Sequence, residues 1–255
     1  MLSTSTILRT VIAILLLAAS CAAQQPAPPT SGTPGLDAYR QSRVGIYMND
    51  FAELSRYRDA NAKLSAPAKE ENRVVFFGDS ITDFWHLDQS FPGKPYINRG
   101  IGGQTTLQML GRFQQDVIAL QPKVVVILAG TNDIAGNTGP VSLEDIETNF
   151  TTMAELARLH GIRVVFSSIL PVHNYTPQSQ ELFITRPMPK IRELNRWMQT
   201  YCAANGCVYI DYFPPLVDAS GLLRRELAED GLHPTAEGYK LMAPLAEAAI
   251  ARVPK

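Results

Sequence analysis

No stretch of this chain is strongly basic, none repeats at a fixed period, and cysteine is nearly absent. Twenty-three Lys and Arg stand against 24 Asp and Glu, leaving a formal charge of −1. Without a basic footprint, nucleic acid is not an expected partner. No G-x-x-x-x-G-K-[ST] loop is present to cradle phosphates, which weighs against a flavodoxin-like nucleotide binder. What is there is globular: 45% hydrophobic and 18% charged residues over 255 positions supply apolar side chain for a sizeable core. That length suits one large α/β domain or two small ones, and nothing in the pattern demands two.

The apolar run Val11-Ile12-Ala13-Ile14-Leu15-Leu16-Leu17-Ala18-Ala19 is too short to span a bilayer comfortably. Arg9 precedes it and small residues follow, so residues 1–23 read as an export leader. Ala18-Ala19-Ser20-Cys21 resembles a bacterial lipobox, which would lipidate Cys21 as the mature N-terminus. Cleavage near Ala23 is the alternative. Either route exports the protein to the periplasm, the medium or a membrane anchor, and a lipid on Cys21 is the one membrane contact expected. Residues 24–35, rich in Pro, Gly, Ser and Thr, read as a flexible tether, and the domain occupies 36–255. It retains Cys202 and Cys207, which flank Ala203-Ala204-Asn205-Gly206, a helix C-terminus signal. A tight turn would bring them within disulfide reach, and export permits oxidation; two buried thiols are the other option.

Strand and helix patterns alternate along the domain. One outer helix is expected from Asp37 to about Leu64, with Val44, Ile46, Tyr47, Phe51 and Leu54 amid many charges. Strands are expected over Val74–Gly78, from Tyr96 into the glycines at 100–103, over Lys123–Gly130, Arg163–Ile169 and Cys207–Tyr212. Helices are expected over Thr105–Leu120, from a capping-box-like Ser142 to about His160, over Met188–Ala204 and over Thr235–Ala251. Pro171 to Pro187 reads as a polar loop. Alternation of this kind builds a parallel sheet covered on both faces, a three-layer α/β/α fold. Five strands fit the doubly wound order 2-1-3-4-5, in which the first strand is central.

The run Val74-Val75-Phe76-Phe77-Gly78-Asp79-Ser80 places a serine at the carboxyl end of the first strand, on the first turn of the next helix. Ligands bind beyond those strand ends, and a helix N-terminus aims backbone N–H groups at negative charge. A nucleophilic serine needs a base, a group to orient the base, and oxyanion donors. Of four histidines, His86 lies nearly two turns along and points away, and His160 sits at a helix end. His173 is on the polar loop. His233 alone has an acid at short reach, Asp230, three residues earlier, able to accept Nδ1–H and leave Nε2 toward the serine. A Gly-Gly after the second strand offers a close backbone N–H, and Asn132 at the end of the third offers a side-chain amide.

Gly78-Asp79-Ser80, Asn98-Arg99-Gly100-Ile101-Gly102-Gly103, Gly130-Thr131-Asn132-Asp133 and Asp230-Gly231-Leu232-His233-Pro234, in this order, resemble the four blocks of the SGNH, or GDSL, hydrolase superfamily. Gly78-Asp79-Ser80-Ile81-Thr82 with Phe84-Trp85 looks nearest the branch similar to platelet-activating-factor acetylhydrolase and carbohydrate acetylesterases. The resemblance implies a catalytic triad of Ser80, Asp230 and His233, and an oxyanion hole of Ser80 N–H, Gly103 N–H and Asn132 Nδ2. It implies hydrolysis of short-chain carboxylic esters, such as acetyl esters of carbohydrates, through an acyl-enzyme. That chemistry requires no metal and no cofactor, and its partner is a small-molecule or carbohydrate ester. Asp79, Phe84, Trp85, His173, Tyr175 and Leu232 are candidates for the substrate pocket. Lysophospholipase, thioesterase and O-acetyltransferase activities use the same scaffold, and an inactive exported binding lipoprotein is a reading from a different class. Oligomeric state is not legible.

Overall fold

Five short apolar runs become five parallel strands: β1 (Val74–Gly78), β2 (Tyr96–Gly100), β3 (Val124–Leu128), β4 (Arg163–Ser167) and β5 (Val208–Ile210). Their order across the sheet is β2-β1-β3-β4-β5, the doubly wound order expected from the sequence. The computed structural model describes residues 30–253. The expected leader, the expected lipid site at Cys21 and the alternative cleavage near Ala23 lie outside them, and the account below concerns Thr33 onward. In chain order the helices are α1 (Pro34–Asn49), α2 (Ser55–Ala62), α3 (Ser80–Asp83), α4 (Leu87–Ser90), α5 (Thr106–Asp116), α6 (Thr131–Ala135), α7 (Leu143–Leu159), α8 (Ser179–Ile184), α9 (Met188–Asn205), α10 (Phe213–Leu216) and α11 (Ala236–Arg252).

Strands β1 and β3 are buried along their whole length. That is why they read as unbroken Val, Ile and Phe runs rather than as alternating patterns. Successive side chains still point to opposite faces. Val75, Phe77, Val125 and Ile127 pack with Phe113, Phe150, Ile191 and Met198 in one layer. Val74, Phe76, Val126 and Leu128 pack with Trp85, Phe91, Tyr239 and Met242 in the other. Gly78 is level with Gly100 on β2 and with Leu128 on β3, so three strands end in one line and open into one crevice.

Local chemistry refines three boundaries. The helix expected over 37–64 is two, because Asp50 ends the first and its carboxylate accepts the N–H groups of Leu54 (2.8 Å) and Ser55 (2.9 Å). The helix expected to reach Leu120 stops at Asp116 and closes with a 3-10 turn over Ile118–Leu120. The 171–187 segment is not wholly loop, since it carries α8. Helix α7 starts as expected: Ser142 and Asp145 form a reciprocal capping box. Cys202 and Cys207 are joined in a disulfide across Cα atoms 4.5 Å apart. Gly206, at φ +71°, makes the turn between them, a conformation open to glycine at no steric cost.

A buried cation ties the sheet's ends together. The Arg112 side chain has no solvent exposure, and its guanidinium donates to the carbonyls of Gly78 (2.9 Å) and Arg99 (2.9 Å) at the ends of β1 and β2. It also donates to Gln104 Oε1 (2.6 Å) and Asp116 Oδ2 (3.1 Å), and it lies over the Phe77 ring at 4.2 Å. Removing one member of such a buried pair leaves the other charged and unmatched. Arg112→Ala should therefore lower the unfolding free energy by about 3–5 kcal/mol, measured by urea denaturation. A loss below about 1 kcal/mol, the level of a surface pair, would show that the tie is dispensable.

Candidate active site

Strand β1 runs out at Gly78, where no side chain fits: a Cβ there would stand 2.2 Å from Thr82 Oγ1 and 2.5 Å from the Leu128 carbonyl. Asp79 caps α3, its carboxylate accepting the Ile81 N–H at 3.0 Å, and Ser80 opens the helix. The Ser80 hydroxyl lies 2.8 Å from His233 Nε2, across 153 residues of sequence. His233 Nδ1 lies 2.6 Å from Asp230 Oδ2, while Asp230 Oδ1 accepts the backbone N–H groups of Leu232 (3.0 Å) and His233 (2.8 Å). Partial burial pushes the Asp230 carboxyl up, but the imidazole and the two backbone donors outweigh it and hold the acid well below the usual carboxylate range. An ionised Asp230 can only accept, so Nδ1 carries the proton and Nε2 is left to accept from Ser80.

The glycines of the second block are not equivalent. Gly100 N–H donates to Asn98 Oδ1 (2.8 Å) and Gly102 N–H to Asp83 Oδ2 (3.0 Å). Gly103 sits at φ +78°, with its carbonyl accepting from Asn137 Nδ2 (2.9 Å) and the Tyr39 hydroxyl (3.4 Å). Asn132, on the first turn of α6, donates through Nδ2 to the Gln104 carbonyl (3.0 Å) and accepts through Oδ1 from Arg186 (3.2 Å). Asp133 beside it accepts the backbone N–H of Thr106, at 2.9 and 3.0 Å to its two oxygens, and the Thr106 hydroxyl. The third block is thereby locked to the start of α5.

Ser80, Gly103, Asn132 and His233 line one cavity of about 430 Å³, a size typical of small-molecule sites. Phe84 and Leu232 line it too, and the Phe84 ring stands 5.3 Å from that of His233. A larger hollow, about 800 Å³, opens beside Val74, Tyr96 and Val124 at the opposite, amino ends of the strands and touches none of these groups.

Four expected pocket residues lie elsewhere. Trp85 is 3% exposed and belongs to the core with Phe76, Phe91 and Tyr239, its Nε1–H donating to Ser90. His173 is buried in its own network, with Nε2 at 2.6 Å from the Ala228 carbonyl and Nδ1 accepting the Tyr175 N–H at 3.2 Å. Tyr175 stacks on His173 and donates its hydroxyl to Asp218, away from the cavity. Asp79 is wholly buried beneath Ser80 as a cap rather than a wall. Conversely, Leu36 and Tyr39 of α1, with Asn137, Leu182 and Arg186, line the cavity without having been singled out by any motif. Arg186 had one faint signal, a lone cation just before Pro187 at the start of a helix.

A hydroxyl, an imidazole and a carboxylate in series at the carboxyl edge of a parallel sheet make the arrangement of a serine hydrolase. Residues 76–241 match the GDSL-like Lipase/Acylhydrolase family, and the chain belongs to that family, whose members are ester-hydrolysing serine hydrolases. A GDSL-like lipase from Bacteroides thetaiotaomicron is 41% identical with a TM-score of 0.74, over 80% of this chain and 99% of that one. A structure from Streptococcus pneumonia named for platelet activating factor is 26% identical with a TM-score of 0.71, over 84% and 98%. The lipoprotein YqeF of Bacillus subtilis is 39% identical over 118 residues, 39% of this chain. That match spans about half of YqeF, 49% of its length.

Beneath the serine, burial pushes Asp79 up to about 7 against the opposing Ile81 N–H, and burial pushes Asp133 up to about 6 against the Thr106 donors. A raised carboxyl contributes stability that is fully present below its unfolded value, about 4, and is lost as pH climbs through the folded value. The melting temperature of Asp79→Asn should therefore gain on that of wild type as pH rises from about 4 to about 7. A difference constant across that window, measured by scanning calorimetry, would show that Asp79 does not titrate there.

Proposed function

We propose that this protein is a serine esterase that hydrolyses short-chain carboxylic esters, such as acetyl esters of carbohydrates, through an acyl-enzyme. The observation that carries the reading is the continuous relay from Ser80 through His233 to Asp230, with contacts of 2.8 and 2.6 Å. Ser80 Oγ attacks the ester carbonyl as His233 Nε2 takes its proton, and Asp230 stabilises the imidazolium. The tetrahedral oxyanion is held by Ser80 N–H, Gly103 N–H and Asn132 Nδ2. The engaged N–H groups of Gly100 and Gly102 favour Gly103 among the three glycines. Collapse expels the alcohol, which takes the proton from His233. Water then repeats the sequence on the acyl-serine and releases the acid.

The cavity's lining supports a short acyl group joined to a polar alcohol. Phe84, Leu36 and Leu232 offer apolar wall near Ser80, while Asn137, Gln178 and Glu181 offer hydrogen-bonding groups on the same cavity. We infer also that residues 1–23 direct export and that the tether expected over 24–35 ends at Thr33, since Pro34 and Gly35 already belong to helix α1. The leader pattern supports this, as does the name of YqeF, a lipoprotein. A lipid on Cys21 would then hold the enzyme at a membrane surface.

The test is a chain-length series of p-nitrophenyl esters with acetylated xylan alongside. Hydrolysis should fall steeply beyond butyrate and vanish in Ser80→Ala; activity surviving that change would end the reading. Asn132→Ala, which removes a side-chain oxyanion donor, should lower kcat on the order of 10²–10³-fold. Near-full turnover in a folded Asn132→Ala would remove Asn132 from the oxyanion hole.

A further inference from the structure

We infer that Arg186 is a positioning residue that fixes the Asn132 side-chain amide with its NH₂ toward the oxyanion and its carbonyl away from it. The inference rests on the esterase reading for its kinetic consequence, and on the hydrogen bonds alone for its geometry. An asparagine amide is nearly symmetric in shape, and only its partners decide which end faces a site. Flipped, Asn132 would present a carbonyl oxygen to a developing oxyanion and repel it. Two partners decide the matter here. The Gln104 carbonyl can only accept, and it takes one hydrogen of Nδ2 at 3.0 Å. The Arg186 guanidinium can only donate, and Nη2 reaches Oδ1 at 3.2 Å. A flip would set oxygen against oxygen at Gln104 and N–H against N–H at Arg186.

The guanidinium is itself held as a fork. Its Nε–H donates to Thr131 Oγ1 at 3.1 Å, and Nη1 donates to Thr185 Oγ1 (3.1 Å) and the Leu182 carbonyl (3.4 Å). Arg186 thus grips consecutive residues of the third block, Thr131 and Asn132, from a segment that the family blocks do not include. It is 4% exposed, and every one of these acceptors is neutral. The carboxyls of Asp79 and Asp230 stabilise the buried cation without a direct ion pair, so its direct contacts are left to these neutral acceptors, the Asn132 amide among them. A cation on Oδ1 also polarises the amide and strengthens Nδ2–H as a donor. Lysine, a point donor on a flexible stem, cannot reproduce the fork.

Two readouts on Arg186→Met and Arg186→Lys test this, with circular dichroism and melting temperature confirming the fold. The first is the ¹⁵N side-chain amide resonance pair of Asn132, identified by its loss in Asn132→Ala. Both proton shifts should move or broaden in Arg186→Met, and by less in Arg186→Lys. The second is a double-mutant cycle on p-nitrophenyl acetate. Arg186→Met should lower kcat on the order of 10–100-fold, within the loss from deleting the donor itself, with KM changed less than about threefold. In the Asn132→Ala background the same change should cost less than about threefold, because the group it positions is gone.

If the methionine variant does not fold, Arg186→Lys carries the same cycle with a smaller loss, about 3–10-fold. An unmoved Asn132 resonance overturns the proposal whatever the kinetics do. So does an equal penalty in both backgrounds, which is the mark of a merely structural role. If the wild type hydrolyses no ester while the resonance still depends on Arg186, the positioning stands and the esterase reading falls.

Discussion

The site depends on a charge that never meets solvent. A buried carbonyl left unpaired is costly, and those at the ends of β1 and β2 are held from beyond the sheet. Arg112 joins the Ile101 N–H on the last carbonyl of β1, takes the Arg99 carbonyl one residue before the end of β2, and adds the Gln104 side chain from the loop beyond. The peptides that lead into Ser80 and into Gly103 therefore leave from pinned points. Asp133 does the same between the third block and Thr106. Three loops that alone would wander are cross-linked below the cavity floor. Reacting groups held by packed, hydrogen-bonded neighbours keep their geometry in a way that loop residues in solvent do not.

The same environment separates the nearby carboxyls by role. Asp230 accepts three hydrogen bonds, one from an imidazole, and stays ionised. Asp79, wholly buried, accepts one backbone N–H and leaves its other oxygen without a partner. Burial pushes both up, but around Asp230 the donors outweigh it and the net shift is downward, whereas around Asp79 little opposes it and the shift is far upward. Environment and not residue type thus separates a carboxylate paired with an imidazole from one that caps a helix. In the proposed mechanism a charge under Ser80 would oppose the oxyanion forming above it, so an acid with a raised pKa suits that position.

Features set by local chain chemistry were legible in the sequence. Buried parallel strands announce themselves as apolar runs, and the four blocks carry their own turns, so the sheet order and the meeting of Ser80 with His233 followed. Features set by direction or by distance were not. Phe84 and Trp85 are neighbours, yet one is 54% exposed beside His233 and the other 3% exposed in the core. A single sequence cannot say which way each ring turns off a four-residue helix. His173 read as a pocket residue because its segment is polar, but that polarity serves a local network with Ala228 and Tyr175. Arg186 stands 54 residues from the Asn132 amide it contacts, and no spacing rule connects them.

Helix α1 shows why substrate choice escapes the motifs. It buries no residue and lies outside the matched span of 76–241, so by pattern it is a surface helix. Yet its polar contacts converge on the cavity rim. Leu36 N–H reaches Glu181 at 3.3 Å, the Gly35 N–H reaches the same carboxylate, and Tyr39 reaches the Gly103 carbonyl. Arg40 donates twice to the Gly136 carbonyl, at 3.0 and 2.6 Å. The family span supplies the reacting groups, while part of the wall that an acyl or alcohol group would meet comes from residues the family does not specify. A helix held by a few polar contacts and no buried side chain is also free to diverge without unfolding the sheet. The wall is thus of two kinds: Phe84, Asn137, Leu182 and Leu232 come from the same span as the reacting groups, while Leu36 and Tyr39 come from a helix that precedes it and is loosely bound.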